Sequence, residues 1–156
     1  MNITAFDLAQ RFIGVKEVAG TVNNSQIMVI LQLDNNWPKN DEVAWCSAFV
    51  NYICWLLRLP RSKDLRARSW LNVGRPIAGK DAVVGWDIVV LDRSDGTASP
   101  TTIDAPGHVG FYAGLVQYPP APLTSVYLLG GNQGDAVNIS AFSTDKIIGV
   151  RRLYDG

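Results

Sequence analysis

The hydrophobic pattern of the chain changes character at about Pro76, and this change limits the possible folds more than any other feature. Before it, apolar residues recur at helical spacing. Thr4 with Asp7 predicts the start of a short helix that Gly14 ends, and Ser25 predicts the cap of a second. Two further helices are predicted over about 41–58 and 65–73.

Beyond Pro76 the apolar runs are short, rich in β-branched residues and bounded by Gly, Pro, Asp and Asn. They predict strands over 86–91, 108–113, 125–129, 137–139 and 147–153. The polar stretch over 92–107 is predicted to be a long surface loop beside the site. Helices followed by antiparallel strands indicate an α+β fold in one domain over 1–156, with N-terminal helices packed on a C-terminal sheet.

Charge and composition exclude several function classes. The 156 residues contain 14 Lys and Arg against 14 Asp and Glu, without a block of like charges, so neither nucleic acid nor a membrane is an expected partner. No apolar run reaches the roughly 18 residues of a membrane span, and the N-terminus lacks a secretory signal. We therefore expect a monomer that is made in the cytoplasm and reaches its site of action by release or delivery.

Cys46 is the candidate nucleophile. With Asn40 or Asp41 as the predicted N-cap, its thiol falls in the first turns of a helix, where the dipole favours a thiolate. The alternative is a small buried hydrophobic residue, which is the interpretation given to Cys54. Eight residues of helix separate the two cysteines by about 12 Å, which excludes a disulfide between them.

His108, the only histidine, is the candidate base. If the strands near residues 113 and 126 pair antiparallel, His108 lies opposite Gly131 or Asn132. Asn132 is therefore predicted to orient the imidazole as a third catalytic residue. Gln133 is the alternative orienting residue, or a contact for the substrate or an oxyanion. A turn that merely joins two strands would explain the same residues.

The remaining features add two candidate contacts and no cofactor. Trp45 adjoins the nucleophile and Trp70 stands near the end of a predicted helix, so each is a candidate substrate contact or a core residue. One histidine and two cysteines do not provide the ligand spacing of a zinc site, and no phosphate-binding glycine motif is present. We expect neither a metal nor another cofactor.

Five segments in this order resemble the papain-like cysteine peptidoglycan hydrolases of the CHAP and NlpC type, especially a small phage-associated branch. The segments are WCSAFV at 45–50, ARSWL at 67–71, GWDIVV at 85–90, GHVGFY at 107–112 and LGGNQ at 129–133. The resemblance extends over nearly the whole chain. One departure is Trp86, which interrupts the usual Gly-Asp-Ile sequence and leaves the role of Asp87 open.

The resemblance implies a papain-like fold and an amidase or endopeptidase that cuts amide bonds in the peptide part of bacterial peptidoglycan, as an endolysin does. It implies that Cys46 is the nucleophile, His108 the general base and then acid, and Asn132 the polar third residue. Three alternatives stay open: an antibacterial effector amidase, an acyltransferase or deamidase on the same fold, and a wall-binding or virion module without activity.

Overall fold

The computed structural model describes residues 2–117 and 123–156. The α-helices are α1 (Ala5–Ala9), α2 (Ser25–Leu31) and α3 (Cys46–Leu56). The strands are β1 (Arg75–Ile77), β2 (Asp87–Asp92), β3 (Gly107–Gln117), β4 (Leu123–Gly130), β5 (Asn138–Ser143) and β6 (Ile147–Arg152). Short 3₁₀ helices occupy Gln10–Phe12, Ala67–Asn72, Gly79–Asp81 and Thr144–Lys146. Nowhere in the described ranges is a helix long and apolar enough to cross a bilayer.

The six strands form one antiparallel sheet in the order β1-β6-β2-β3-β4-β5. The predicted combination of helices and antiparallel sheet is confirmed, and each of the five predicted strands overlaps one of β2 to β6. β1 was not predicted, because three residues that include Pro76 are too short a run to recognise. Proline is tolerated there because β1 lies at the edge of the sheet.

The N-terminal helices begin at polar caps. Thr4 and Asp7 form the predicted capping box, in which the Thr4 hydroxyl accepts from the Asp7 N–H and the Asp7 carboxylate accepts from the Thr4 N–H. For α2 the prediction of Ser25 as the cap is wrong by one residue. Asn24 is the N-cap, and its side-chain oxygen accepts from the N–H groups of Gln26 and Ile27.

Helix α3 begins at Cys46, five residues later than predicted. Asp41 does not cap it, because this buried carboxylate accepts hydrogen bonds from the backbone N–H groups of Val18 and Asn24. These bonds, chiefly that of Asn24, lower the pKa of Asp41. Trp45 takes the N-cap position instead. Cys46 is therefore the first residue of the helix.

The main core lies between α3 and one face of the sheet. Phe49 is fully buried and its ring meets that of Phe111 edge to face, with centroids 6.3 Å apart. Burial of such a side chain stabilises the fold by about 1.5–3 kcal/mol. The opposite face of the sheet holds a second cluster that includes Leu91, Tyr112 and Leu128. The core thus packs the start of α3 against the central strands of the sheet.

Asp87, whose role the sequence left open, is a structural residue. Its carboxylate is 1% exposed and accepts two hydrogen bonds of 2.8 Å from the guanidinium of Arg152 and one from the Val83 N–H. Because Asp87 and Arg152 are also paired positions of β2 and β6, this ion pair fastens two neighbouring strands.

Candidate active site

Cys46 lies at the start of α3, where its thiol faces the sheet. The residue is 5% exposed, and neither it nor Cys54 forms a disulfide. Burial raises the pKa of the Cys46 thiol, while hydrogen bonding from the N–H groups of Val109 and Ser47 and the charge of Arg93 lower it. Val109 directly follows His108, so the sulfur lies at the end of β3 that carries His108, although successive side chains of a strand point to opposite faces of the sheet.

The N-terminus of α3 carries no side-chain cap. The first four N–H groups of a helix have no partner within the helix, and Trp45 offers an indole rather than an oxygen acceptor. The Trp45 carbonyl does accept from the Phe49 N–H, which begins the helical pattern. Uncapped N–H donors next to a thiol are the arrangement needed to stabilise an oxyanion.

His108 is the second residue of β3 and is 2% exposed. Its Nε2 lies 2.9 Å from Oε1 of Gln133, and its ring stacks at a tilt on Phe142 with centroids 5.2 Å apart. Burial lowers the pKa of His108 to about 4, although the Gln133 hydrogen bond opposes this effect. The imidazole is therefore neutral near pH 7.

The surroundings of Gln133 determine which nitrogen of His108 carries the proton. The Gln133 amide nitrogen donates to the Leu128 carbonyl at 3.1 Å and to the Asn138 carbonyl at 2.8 Å. A flipped amide would direct its oxygen at these two carbonyls, so Oε1 has to face the ring. Since Oε1 can only accept, Nε2 of His108 is the donor and Nδ1 is the basic nitrogen.

The sequence prediction of Asn132 as the orienting residue is corrected by this geometry. Asn132 adopts a left-handed conformation with φ of 57°, which a polar residue tolerates at a turn. Its side chain makes no hydrogen bond to any part of the chain that the structure describes. The turn instead brings the next residue, Gln133, back over Gly130. A Cβ on Gly130 would lie 2.5 Å from Oε1 of Gln133, so only glycine leaves room for this contact.

Trp45 and Trp70 are not substrate contacts, because both side chains are fully buried. The Trp45 indole donates to Glu17 at 2.8 Å, and its ring fills the space beside Gly131, where a Cβ would lie 2.6 Å from it. The Trp70 indole donates to the Ser47 hydroxyl at 2.9 Å. Both tryptophans position the start of α3, and buried indoles cannot stack on a ligand.

Arg68, whose role the sequence did not reveal, holds the loop between β2 and β3. Its side chain is fully buried and donates to the carbonyls of Pro106 and Ser99 at 2.9–3.1 Å, and to the carboxylate of Asp92. Pro106 lies two residues before His108. The predicted surface loop is therefore fastened at both ends by one buried guanidinium, which positions the imidazole.

The structure brings three candidate groups to one end of the helix and sheet. Cys46 lies at the helix start against one face of the sheet, and Gln133 holds the His108 ring from the turn after β4. His108 is the second residue of β3, and its ring lies beside Phe142 on the opposite face of the sheet. Within residues 2–117 and 123–156, no hydrogen bond joins the sulfur to the imidazole, and no group of three metal-ligating side chains occurs. With a raised thiol pKa and a lowered imidazole pKa, the resting pair is neutral.

Comparison with known proteins gives a structural match. No protein-family model and no curated protein sequence matches the chain. Among solved structures, that of NlpC1 from Trichomonas vaginalis is similar, with a TM-score of 0.56 and 17% identity over 97% of this chain. The match spans 44% of the NlpC1 chain, which is less than half of its length. It shows an NlpC-like fold of mixed helix and antiparallel sheet.

Proposed function

We propose that the chain is a cysteine hydrolase of papain-like fold that cleaves amide bonds in the peptide part of bacterial peptidoglycan. The observation that carries the proposal is the fixed tautomer of His108, which leaves Nδ1 as the basic nitrogen one residue before Val109, whose N–H lies against the Cys46 thiol. The order of the sequence segments and the NlpC-like fold support the same assignment.

The proposed reaction follows from the roles of these groups. Nδ1 of His108 takes the proton of the Cys46 thiol as the sulfur attacks the amide carbonyl carbon. The N–H donors at the start of α3 stabilise the negative oxygen of the tetrahedral intermediate. The imidazolium then gives its proton to the leaving amine and a thioester forms. A water molecule, deprotonated by Nδ1, hydrolyses the thioester to a carboxylate and restores the thiol.

Gln133 has a positioning role in this proposal. As an acceptor at Nε2 it holds the ring in one orientation and stabilises the imidazolium without taking a proton. Its own amide is held by Leu128 and Asn138, so its orientation does not depend on the substrate.

The proposed biological setting is lysis of a bacterium at the end of phage infection, supported by the resemblance to the phage-associated branch. An effector amidase delivered into a competing cell would carry out the same cleavage. A cognate inhibitor protein distinguishes the two settings, since an effector needs one and a lysis enzyme does not.

The test is digestion of purified peptidoglycan in water labelled with heavy oxygen, followed by mass spectrometry of the released fragments. Hydrolysis predicts new amines together with new carboxylates that carry the label, and the mass of each fragment identifies the bond. Cys46→Ala and His108→Ala are expected to abolish this release while remaining folded. Release that persists in folded Cys46→Ala refutes the proposal, and amide products without label indicate acyl transfer instead.

A further inference from the structure

Two cavities flank His108, and Arg93 lines both of them. The larger is about 400 Å³, and its charged lining residues are Asp92, Arg93, Asp95 and Lys146. The smaller is about 280 Å³, and apart from His108 its lining consists of Arg93 together with amide, hydroxyl, glycine and aromatic residues. Arg93 is thus the one permanently charged side chain that borders the imidazole on both sides.

The other charges of the larger cavity already have partners. Asp92 accepts from Arg68 and from both the backbone N–H and the hydroxyl of Ser94. Lys146 forms an ion pair with Asp95 at 2.9 Å. The Arg93 guanidinium, by contrast, is exposed and has neither an ion pair nor a hydrogen bond with any described residue.

The position of Arg93 is nevertheless defined by the fold. Its backbone N–H donates to the Pro106 carbonyl at 3.1 Å, and the same carbonyl accepts from the buried Arg68. The backbone of Arg93 therefore belongs to the part of the loop that Arg68 holds in place. An unpaired guanidinium on a fixed backbone, facing a cavity, is suited to bind an anion with two parallel hydrogen bonds.

We infer that Arg93 binds a carboxylate that the substrate carries next to its scissile amide, which makes acidic rather than amidated peptides the preferred substrates. This inference rests on the proposed function. A carboxylate fits better than a neutral group because a guanidinium has five donors and no acceptor. Ser140, which lines the smaller cavity, supplies a further polar group for the same ligand.

Arg93 lies beside His108 in both cavities, and its charge acts on both candidate reacting groups. Burial is the main cause of the shifted pKa values, raising that of Cys46 and lowering that of His108. The charge of Arg93 lowers the pKa of both groups, so one guanidinium lies within electrostatic range of the thiol and the imidazole. A carboxylate bound there would belong to a residue beside the scissile bond.

The test uses two synthetic cell-wall stem peptides that are identical except that the residue next to the scissile amide carries a carboxylate or a carboxamide. We expect wild type to cleave the carboxylate peptide with a kcat/KM about tenfold to a hundredfold higher. Arg93→Gln is expected to lose this preference. Lys146→Gln is the matched control, because it removes a paired cation from the same cavity and should retain it.

The comparison of two peptides separates binding of the carboxylate from any effect of Arg93 on the thiol, because both peptides meet the same nucleophile. An unchanged preference in Arg93→Gln, or no preference in wild type, overturns the inference. A second measurement compares the affinities of both peptides for Cys46→Ala and for Cys46→Ala with Arg93→Gln. If wild type cleaves neither peptide, the proposed function fails. In that case the role of Arg93 is still tested by binding, and equal affinities of the two peptides for Cys46→Ala would overturn it.

Discussion

The two cysteines of α3 occupy one helix and are both buried, yet their surroundings differ. Cys46, at the first position, meets the Val109 N–H, the charge of Arg93 and an uncapped helix end. Cys54, two turns later, is fully buried, and burial raises the pKa of its thiol, while the charge of Arg61 opposes this effect. Position on the helix, rather than residue type or burial, thus makes one thiol a candidate nucleophile and the other a core residue.

The largest expected effect is on thiol alkylation, which tests this comparison directly. Iodoacetamide at about pH 8 should modify Cys46 about a thousandfold faster than Cys54, because Cys54 reacts only after an opening that costs most of the unfolding free energy. Mass spectrometry of peptides from Cys46→Ala and Cys54→Ala gives the two rates. Equal rates, or a Cys46 rate that follows global unfolding in urea, would contradict the assignment.

The next effect concerns the buried guanidinium that holds the loop before His108. Arg68→Met should lower the free energy of unfolding by about 3–5 kcal/mol, because Asp92 and two carbonyls lose a buried donor. Arg66→Met is the control: Arg66 is 51% exposed in its pairs with Asp64 and Asp104, so a loss under about 1 kcal/mol is expected. Urea denaturation measures both, and similar losses would argue against the positioning role.

A pH dependence of stability should arise at the Cys46 end of the molecule. His108 has a pKa of about 4 in the folded chain against 6.5 when unfolded, so the unfolded state binds its proton first as the pH falls. The contribution of neutral His108 to the free energy of unfolding is complete above about pH 6.5. It should decline by about 3 kcal/mol as the pH falls to about 4.

His108→Gln lacks this titration and keeps every carboxylate. The stability difference between wild type and His108→Gln should therefore be constant above about pH 7 and move in favour of the variant between about pH 6.5 and pH 4. Urea unfolding at a series of pH values measures it. A difference that does not change with pH would show that His108 titrates normally in the folded state.

The smallest effect distinguishes the two neighbouring residues of the turn. Gln133→Ala should lower kcat/KM by about tenfold to a hundredfold, because the ring loses the acceptor that fixes its tautomer. Asn132→Gly preserves the left-handed backbone and should stay within about threefold of wild type. Peptide hydrolysis measures both. A larger loss in Asn132→Gly would restore Asn132 as the third catalytic residue.

Much of the fold was accessible from the sequence because it depends on local patterns. The Thr4 capping box and the strands β2 to β6 follow from spacing and turn residues. The predicted pairing of β3 with β4 agrees with the observed partners Phe111 and Leu129, since the alternation of buried residues limits the register of a strand. The start of α3 was not accessible, because Asp41 is used by N–H groups of distant loops.

The sequence by itself determined the fold class and the two groups that are candidates for chemistry, Cys46 and His108, because periodicity and residue type are local properties. Only the tertiary structure decided that Gln133 rather than Asn132 holds the ring, that Trp45 and Trp70 are buried, and that Arg68 fastens the loop. The physical reason is that hydrogen bonds and burial at these positions join segments that are far apart in the chain, through a left-handed turn and a sheet edge that no local pattern encodes.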